Sequence, residues 1–271
     1  MGTLEFLYET LPGRVLLKAL TCRGLSRVCG HFLDSGLSRF LIPGFVKSNK
    51  IDLTQCESDK FSCFNDCFTR QLKKELRPID MEDGALVSPC DGLLSAYPIE
   101  KNLVLPVKQS RYTVEALLQD DELASKFNEG YCLVFRLCVN HYHRYCYIDD
   151  GSKGENHFIP GKLHTVRPIA LRNVPVFTEN CREYTVMQTD NFGDVVQMEV
   201  GAMLVGKIKN HHGIWETHRG EEKGMFLYGG STIILLLEKD AVNLEPAILQ
   251  ATAAGRETDV KMGEVIGRKP D

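Results

Sequence analysis

Five consecutive apolar residues, Ile233-Ile234-Leu235-Leu236-Leu237, follow directly on Gly230-Ser231-Thr232. A run this short and continuous, bounded by a glycine pair, reads as a strand buried on both faces. The tripeptide has two readings. As a Gly-Gly hairpin turn leading into a core strand it needs no chemistry, and alone it favours that reading. As a small hydroxyl residue after two glycines it resembles a serine poised to attack the carbonyl before it, because glycine tolerates strained backbone and close approach.

The 271 residues suffice for one large domain, or for a compact domain with a helical appendage. The longest apolar runs fall far short of the ~18 residues of a membrane-spanning helix, and no apolar segment with a small-residue cleavage site opens the chain, so a secretory signal is not expected. The ten cysteines are scattered without zinc-ribbon spacing and read as buried thiols in a reducing compartment. Residues 1–50 hold seven Lys/Arg against three acids, a local +4 in a chain of net charge −4. A basic arm on an acidic body suits an anionic surface, either lipid or nucleic acid. Aromatic and basic residues do not interleave on a platform, so nucleic acid is the weaker of the two.

Residues 1–44 read as short amphipathic helices. Leu4, Leu7 and Tyr8 share a face, Pro12-Gly13 interrupts, and Val15, Leu16, Leu17 and Leu20 resume it. A further segment carries Leu25, Val28, Phe32, Leu37, Phe40 and Leu41 up to Pro43-Gly44. Such helices can lie in a membrane surface or pack on the body of the protein; periodicity does not separate the two. A stripe of Phe61, Phe64, Phe68 and Leu72 predicts another helix over 59–76. Beyond Arg77-Pro78, short apolar runs alternate with turn residues, predicting β structure with one helix near 114–127. The expected fold is α+β, with N-terminal amphipathic helices over 1–77 followed by a β-rich, barrel- or sandwich-like catalytic domain over 78–271.

Three further segments could carry chemistry. Ser88-Pro89-Cys90-Asp91-Gly92 sets an acid in a turn; Asp-Gly is ordinarily a turn pair, but a carboxylate there could orient a histidine. His141-Tyr142-His143-Arg144-Tyr145-Cys146 is dense in ionisable groups. His141 and His143 would share a strand face, as metal ligands can, yet no carboxylate follows at a suitable spacing. A general base near a serine is the better use of His143. His164 follows Pro160-Gly161-Lys162-Leu163 at an expected turn-to-strand junction.

In order and spacing these segments resemble the phosphatidylserine decarboxylase family over nearly the whole chain. The resemblance rests on Phe64-Asn65-Asp66-Cys67-Phe68-Thr69-Arg70, Arg77-Pro78, Ser88-Pro89-Cys90-Asp91-Gly92, Tyr142-His143-Arg144, Pro160-Gly161-Lys162-Leu163, Asn180-Cys181-Arg182-Glu183, Val200-Gly201-Ala202, Lys223-Gly224-Met225-Phe226 and Gly230-Ser231-Thr232. It implies a carboxy-lyase that converts phosphatidylserine to phosphatidylethanolamine and carbon dioxide through a Schiff base on a pyruvoyl group, with no metal and no pyridoxal phosphate. It implies autocatalytic serinolysis between Gly230 and Ser231, leaving a β chain that ends at 230 and an α chain, 231–271, that begins with the pyruvoyl made from Ser231. By the resemblance Asp91 is the triad aspartate and Ser231 the nucleophile. The family pattern Tyr-His-Arg-x-His carries its processing base on the second histidine, where this chain has Cys146. His143 could serve both steps, His164 could reach in from another strand, or Cys146 could take part; His143 is favoured. The implied partners are phosphatidylserine in an anionic membrane and the protein's own two chains, with no nucleic acid and a homo-oligomer left open. The implied setting is peripheral, on the cytoplasmic face of the cell membrane. A pyruvoyl decarboxylase of a soluble amino acid and a non-enzymatic membrane-surface module are the alternatives.

Overall fold

In the computed structural model the chain is described over residues 2–100, 105–107, 110–202, 207–228 and 231–270. Helices open the chain: α1 (Thr3–Glu9), α2 (Leu11–Leu20), α3 (Arg23–Leu33), α4 (Ile42–Ser48) and α5 (Phe64–Phe68). Pro12 and Pro43 each sit in the first turn of a helix, where a missing N–H costs nothing. Pro43 therefore starts α4, although the sequence pattern reads it as an end. Gly13 lets α2 fold tightly onto α1, because a Cβ there would meet the Phe6 carbonyl oxygen at 1.9 Å. The helix expected over 59–76 shrinks to α5. Leu72 bridges to Cys56 instead, and only Phe64 and Phe68 of the stripe stand on a helical turn.

The remainder runs β1 (Ala85–Val87), β2 (Gly92–Pro98), β3 (Leu105–Val107), β4 (Ser110–Tyr112), α6 (Val114–Leu118), α7 (Asp121–Ser125), β5 (Tyr131–Leu137), β6 (Arg144–Cys146), β7 (Gly151–Lys153), β8 (His157–Ile159), α8 (Pro168–Asn173) and α9 (Val176–Glu179). It continues with β9 (Arg182–Thr189), β10 (Gly193–Val200), β11 (Ile208–Asn210), β12 (Trp215–Thr217), β13 (Glu222–Phe226), β14 (Ser231–Leu237), β15 (Asn243–Leu244), α10 (Pro246–Ala253), β16 (Thr258–Val260) and β17 (Val265–Arg268). The single helix expected near 114–127 is two, divided where Gln119 takes a φ of 54° and Asp120 caps α7.

The principal sheet has the order β12-β7-β9-β10-β14-β5-β2-β16, with β8 added to β9, and it does not close on itself among the described residues. The architecture is thus sandwich-like, not a closed barrel. Alternation along β14 assigns its faces. Ile234 and Leu236 join Leu7, Tyr8, Leu17, Leu117, Phe127 and Phe177 beneath the helices. Ile233, Leu235 and Leu237 join Leu86, Tyr145, Phe226 and Ile266 beneath the two small sheets, β11-β13-β6 and β1-β17-β15. Helices, large sheet and small sheets form three layers, and every residue of β14 is buried.

Two buried charges tie the layers. Arg182 donates to the carbonyls of Ala116, Leu117, Thr178 and Asn180, binding the helix layer to β9. Lys223 on β13 donates to both oxygens of Glu199 on β10, at 2.7 and 2.8 Å, and to Asn210 on β11. Both side chains of that pair are fully buried. Removing one partner strands the other without water, which costs about 3–5 kcal/mol, whereas removing both costs much less. Lys223→Met should therefore lower the urea midpoint sharply, and Lys223→Met with Glu199→Gln should recover most of the loss.

Candidate functional site at one end of the central sheet

The strand registers gather the candidate residues. Ser231, the first residue of β14, lies opposite Leu137, the last of β5, while Leu93 of β2 lies opposite Arg136. β2 and β14 therefore both start where β5 ends, flanking it roughly 10 Å apart. Asp91 immediately precedes β2. The loop leaving β5 carries His141 and His143 across the same end before joining β6 in a small sheet. Gly230 lies outside the described residues, so the structural account of the expected cut begins at Ser231.

Ser231 is buried and its Oγ has no hydrogen-bond partner among the described residues; the same holds for Thr232 Oγ1. By alternation Ser231 shares the face of Ile233 and Leu235, toward the small sheets, and Thr232 faces the helices. Buried hydroxyls ordinarily find a partner, so two orphans in succession mark this strand end.

His143 is fully buried. Its Nδ1 lies 3.0 Å from the His141 carbonyl oxygen. A carbonyl can only accept, so Nδ1 carries the proton and Nε2 presents a bare lone pair, with no partner among the described residues. Burial, helped by the nearby Arg70 charge, pushes the imidazole down to about 3, so the ring is neutral at physiological pH. Its ring packs at 4.1 Å on Phe68 of α5. Arg70 donates to the carbonyls of Asn140 and His141, and Arg144 donates to the Thr69 carbonyl, so the residues of and just after α5 clamp this loop. His143 and Ser231 are not hydrogen-bonded to each other.

Asp91 faces a different set of groups. Its carboxylate accepts from Arg77 Nε at 2.6 Å, from Arg77 Nη2, and from the Met262 N–H at 3.1 Å. It lines a polar cleft of about 150 Å³ together with Arg70, Arg77, Asn140 and Tyr142. Neither His143 nor Ser231 is among its hydrogen-bond partners. His141 lies within reach of its field. Burial lowers the His141 imidazole while Asp91 and Asp259 oppose the shift.

Cys146 on β6 is fully buried, its thiol pushed up to about 12 by desolvation, and its N–H donates to the Pro89 carbonyl. A thiol so far from ionising keeps its proton near neutrality and cannot serve as a base. His164 is near the same sheet end, since Asn180 bridges its carbonyl to that of Gly201, just past β10. Its ring, however, belongs to the helix layer: Nδ1 meets the Tyr8 hydroxyl at 3.3 Å, and Nε2 is 3.6 Å from Glu179. The structure thus brings Ser231, the His141–His143 loop and Asp91 to one end, with Ser231 directed away from the layer that holds His164. Phe68, Arg70 and Arg77 were visible as parts of motifs, but their contacts to residues 70 or more positions away in the case of Arg70 left no local signal.

A second, larger cavity of about 380 Å³ opens between α3 and the sheet edge, lined in part by Arg27, His31, Asp34, Asn65, Lys207 and Leu227. Leu227 is four positions before Ser231.

Comparison with known proteins agrees in extent and in kind. The profile of a family described as Phosphatidylserine decarboxylase matches residues 64–268. "Phosphatidylserine decarboxylase proenzyme 2" of Clostridium acetobutylicum is 45% identical over 271 residues, covering 100% of this chain and 93% of its own. "Phosphatidylserine decarboxylase proenzyme" of Clostridium perfringens is 42% identical over 249 residues, covering 90% and 85%. The protein of the same name from Clostridium beijerinckii is 39% identical over 272 residues, covering 98% and 92%.

The neutral burial of His143 has a consequence for stability. Between about pH 3 and 6.5 the unfolded chain binds a proton here that the folded chain refuses, so stability is full above 6.5 and is lost as pH falls. His141 and His164, both lowered by burial, act in the same direction. The His143 contribution should reach roughly 2 kcal/mol between pH 7 and pH 5. Urea midpoints across that range should fall, and less steeply in His143→Asn.

Proposed function

The chain belongs to the phosphatidylserine decarboxylase family, and we propose that it converts phosphatidylserine to phosphatidylethanolamine and carbon dioxide after cutting itself between Gly230 and Ser231. The observation that carries this reading is the orphaned hydroxyl of Ser231, buried at a strand start on the face toward the small sheets. That face is also the one from which the His143 loop enters β6, and His143 holds a bare Nε2.

In the cut, His143 Nε2 takes the hydroxyl proton and Oγ attacks the Gly230 carbonyl carbon. The Gly230–Ser231 C–N bond breaks, the nitrogen receives the proton, and an ester joins the two residues. Loss of the Ser231 Cα proton then expels the Gly230 carboxylate, and water displaces the nitrogen as ammonia. The chain from 231 onward is left with a pyruvoyl end. Such a group supplies an electrophilic carbonyl that engages an amine and draws electrons from the carbon losing carbon dioxide. The unpartnered hydroxyl of Thr232 and the neutral imidazole of His143 fit a buried site that must orient a carbonyl and move protons. The ladder to Leu137 and Val200 would hold its first residues rigid. His143 is preferred over His164, whose ring lies in the helix layer against Tyr8, on the side away from Ser231, and over Cys146, whose thiol stays protonated. In this reading Asp91, anchored by Arg77, acts on the histidine loop through its field and not through a hydrogen bond.

Substrate access follows from the N-terminal region, 1–77, which serves the catalytic part, 78–271. The larger cavity presents Arg27, His31 and Lys207, which suit a phosphate-bearing headgroup. Leu11, Val15 and Leu16 of α2, Val28 and Phe32 of α3, and Leu37 and Phe40 stand exposed on the N-terminal helices and the turn that follows them. Among the described residues no helix is long and apolar enough to cross a membrane. Exposed apolar residues on short basic helices suit a peripheral mode, with the side chains in the lipid and the cations at anionic headgroups. Ten free cysteines suit the cytoplasmic face.

Intact mass should find two chains, the second lacking the serine amine; a single unmodified chain in an active preparation would sink the reading. Ser231→Ala should stay uncut and inactive. His143→Ala should slow the cut by about 10²–10⁴-fold, the range of a lost general base, while Cys146→Ala should change it little. On flotation, the protein should rise with anionic vesicles, and Val15→Asp with Val28→Asp should leave it at the bottom of the gradient.

A further inference from the structure

Between the last residue of β13, Phe226, and the first of β14, Ser231, the chain passes from a small sheet to the large one. Among the described residues, two bonds hold this crossing: Leu227 N–H to the Lys207 carbonyl at 3.1 Å, and Tyr228 N–H to Asn65 Oδ1 at 3.1 Å. The second is a side chain standing in for a missing strand, which satisfies a backbone donor that would otherwise be buried unpaired.

Asn65 is held for this task. It is buried, its carbonyl accepts from the Thr69 N–H and Oγ1, and its Nδ2 donates to Asp34 Oδ1 at 2.7 Å. A backbone donor on one side and a carboxylate on the other leave the amide a single orientation. The Tyr228 ring is gripped as well, edge-on to Phe64 at 4.9 Å and to Phe68 at 5.1 Å. The same Phe68 carries the His143 ring. One helical turn therefore touches the base through an aromatic face and the segment before Ser231 through an amide.

We propose that Asn65, oriented by Asp34, is a positioning residue for self-cleavage: it holds Tyr228, two positions before Gly230, on the helical turn that also packs against His143. The inference rests on the self-cleavage reading above. Its physical ground is that intramolecular attack depends steeply on the placement of the reacting groups, so that errors near 1 Å cost up to about a hundredfold.

The test follows precursor conversion into two chains by gel and intact mass, with wild type and Ser231→Ala run alongside. If wild type does not cut, the self-cleavage reading fails and the inference with it. If wild type cuts, the Asn65 variants decide the inference alone. Asn65→Leu should slow conversion at least tenfold. Asn65→Asp sets two carboxylates face to face and should also be slow. The exchange Asp34→Asn with Asn65→Asp places a donor at position 34 toward an acceptor at position 65, keeps an acceptor toward Tyr228, and should return the rate to within about threefold of wild type. Because the exchange would mend a loss of stability as well, Asn65→Leu and Asn65→Asp count for the inference only where their melting temperatures stay near that of the parent. Asp34→Ala changes only an exposed side chain, so the fold should tolerate it, and it should slow the cut two- to fivefold. Thermal melts in the Ser231→Ala background report folding separately. The inference is overturned if folded Asn65→Leu cuts at the wild-type rate, if the exchange cuts no faster than Asn65→Asp, or if Asp34→Ala has no effect.

Discussion

Burial of β14 on both faces is the constraint on which the rest of the molecule depends. Ile234 and Leu236 need the helix layer, and Ile233, Leu235 and Leu237 need the small sheets. A strand in that position can carry polar groups only at its end, and there it carries Ser231 and Thr232. The antiparallel pairings with β5 and β10 then determine where that end lies. The strand start falls at the same edge as the start of β2 and the loop that leaves β5. Candidate residues far apart in sequence come to one end of the sheet because the central ladder has one register that buries its apolar residues; a slip of one residue would turn Ser231 to the helix side.

Burial also sets the proton chemistry. The same desolvation that holds the His143 ring neutral raises the Cys146 thiol to about 12. One low-dielectric environment thus keeps the imidazole neutral and the neighbouring thiol protonated. The tautomer comes from the backbone, through the His141 carbonyl, with no carboxylate partner. Asp91, bound to Arg77 and Met262, sits at the far side of that loop.

The N-terminal helices divide their surface between two environments. Leu7, Tyr8 and Leu17 enter the core, and Tyr8 reaches His164. Leu11, Val15, Val28 and Phe40 remain outside. Packing and membrane contact, which periodicity could not separate, are therefore compatible, because short helices joined by tight turns can present one face inward and another outward.

The sequence by itself determined the buried strand, the serine at its mouth, the helical beginning and the β-rich remainder. Continuous apolar runs, glycine pairs and periodic stripes are local signals that report burial directly. It also made His143, His164 and Cys146 candidates for the base, with His143 favoured, and it overstated the helix over 59–76, where Leu72 is recruited to Cys56 instead. Only the tertiary structure decided which candidates meet. Asp91 pairs with Arg77, His164 with Tyr8, and Asn65 spans Asp34 and Tyr228, the last 163 positions away. Such contacts depend on strand register and layer packing, which bring distant residues together without leaving any periodic trace between them.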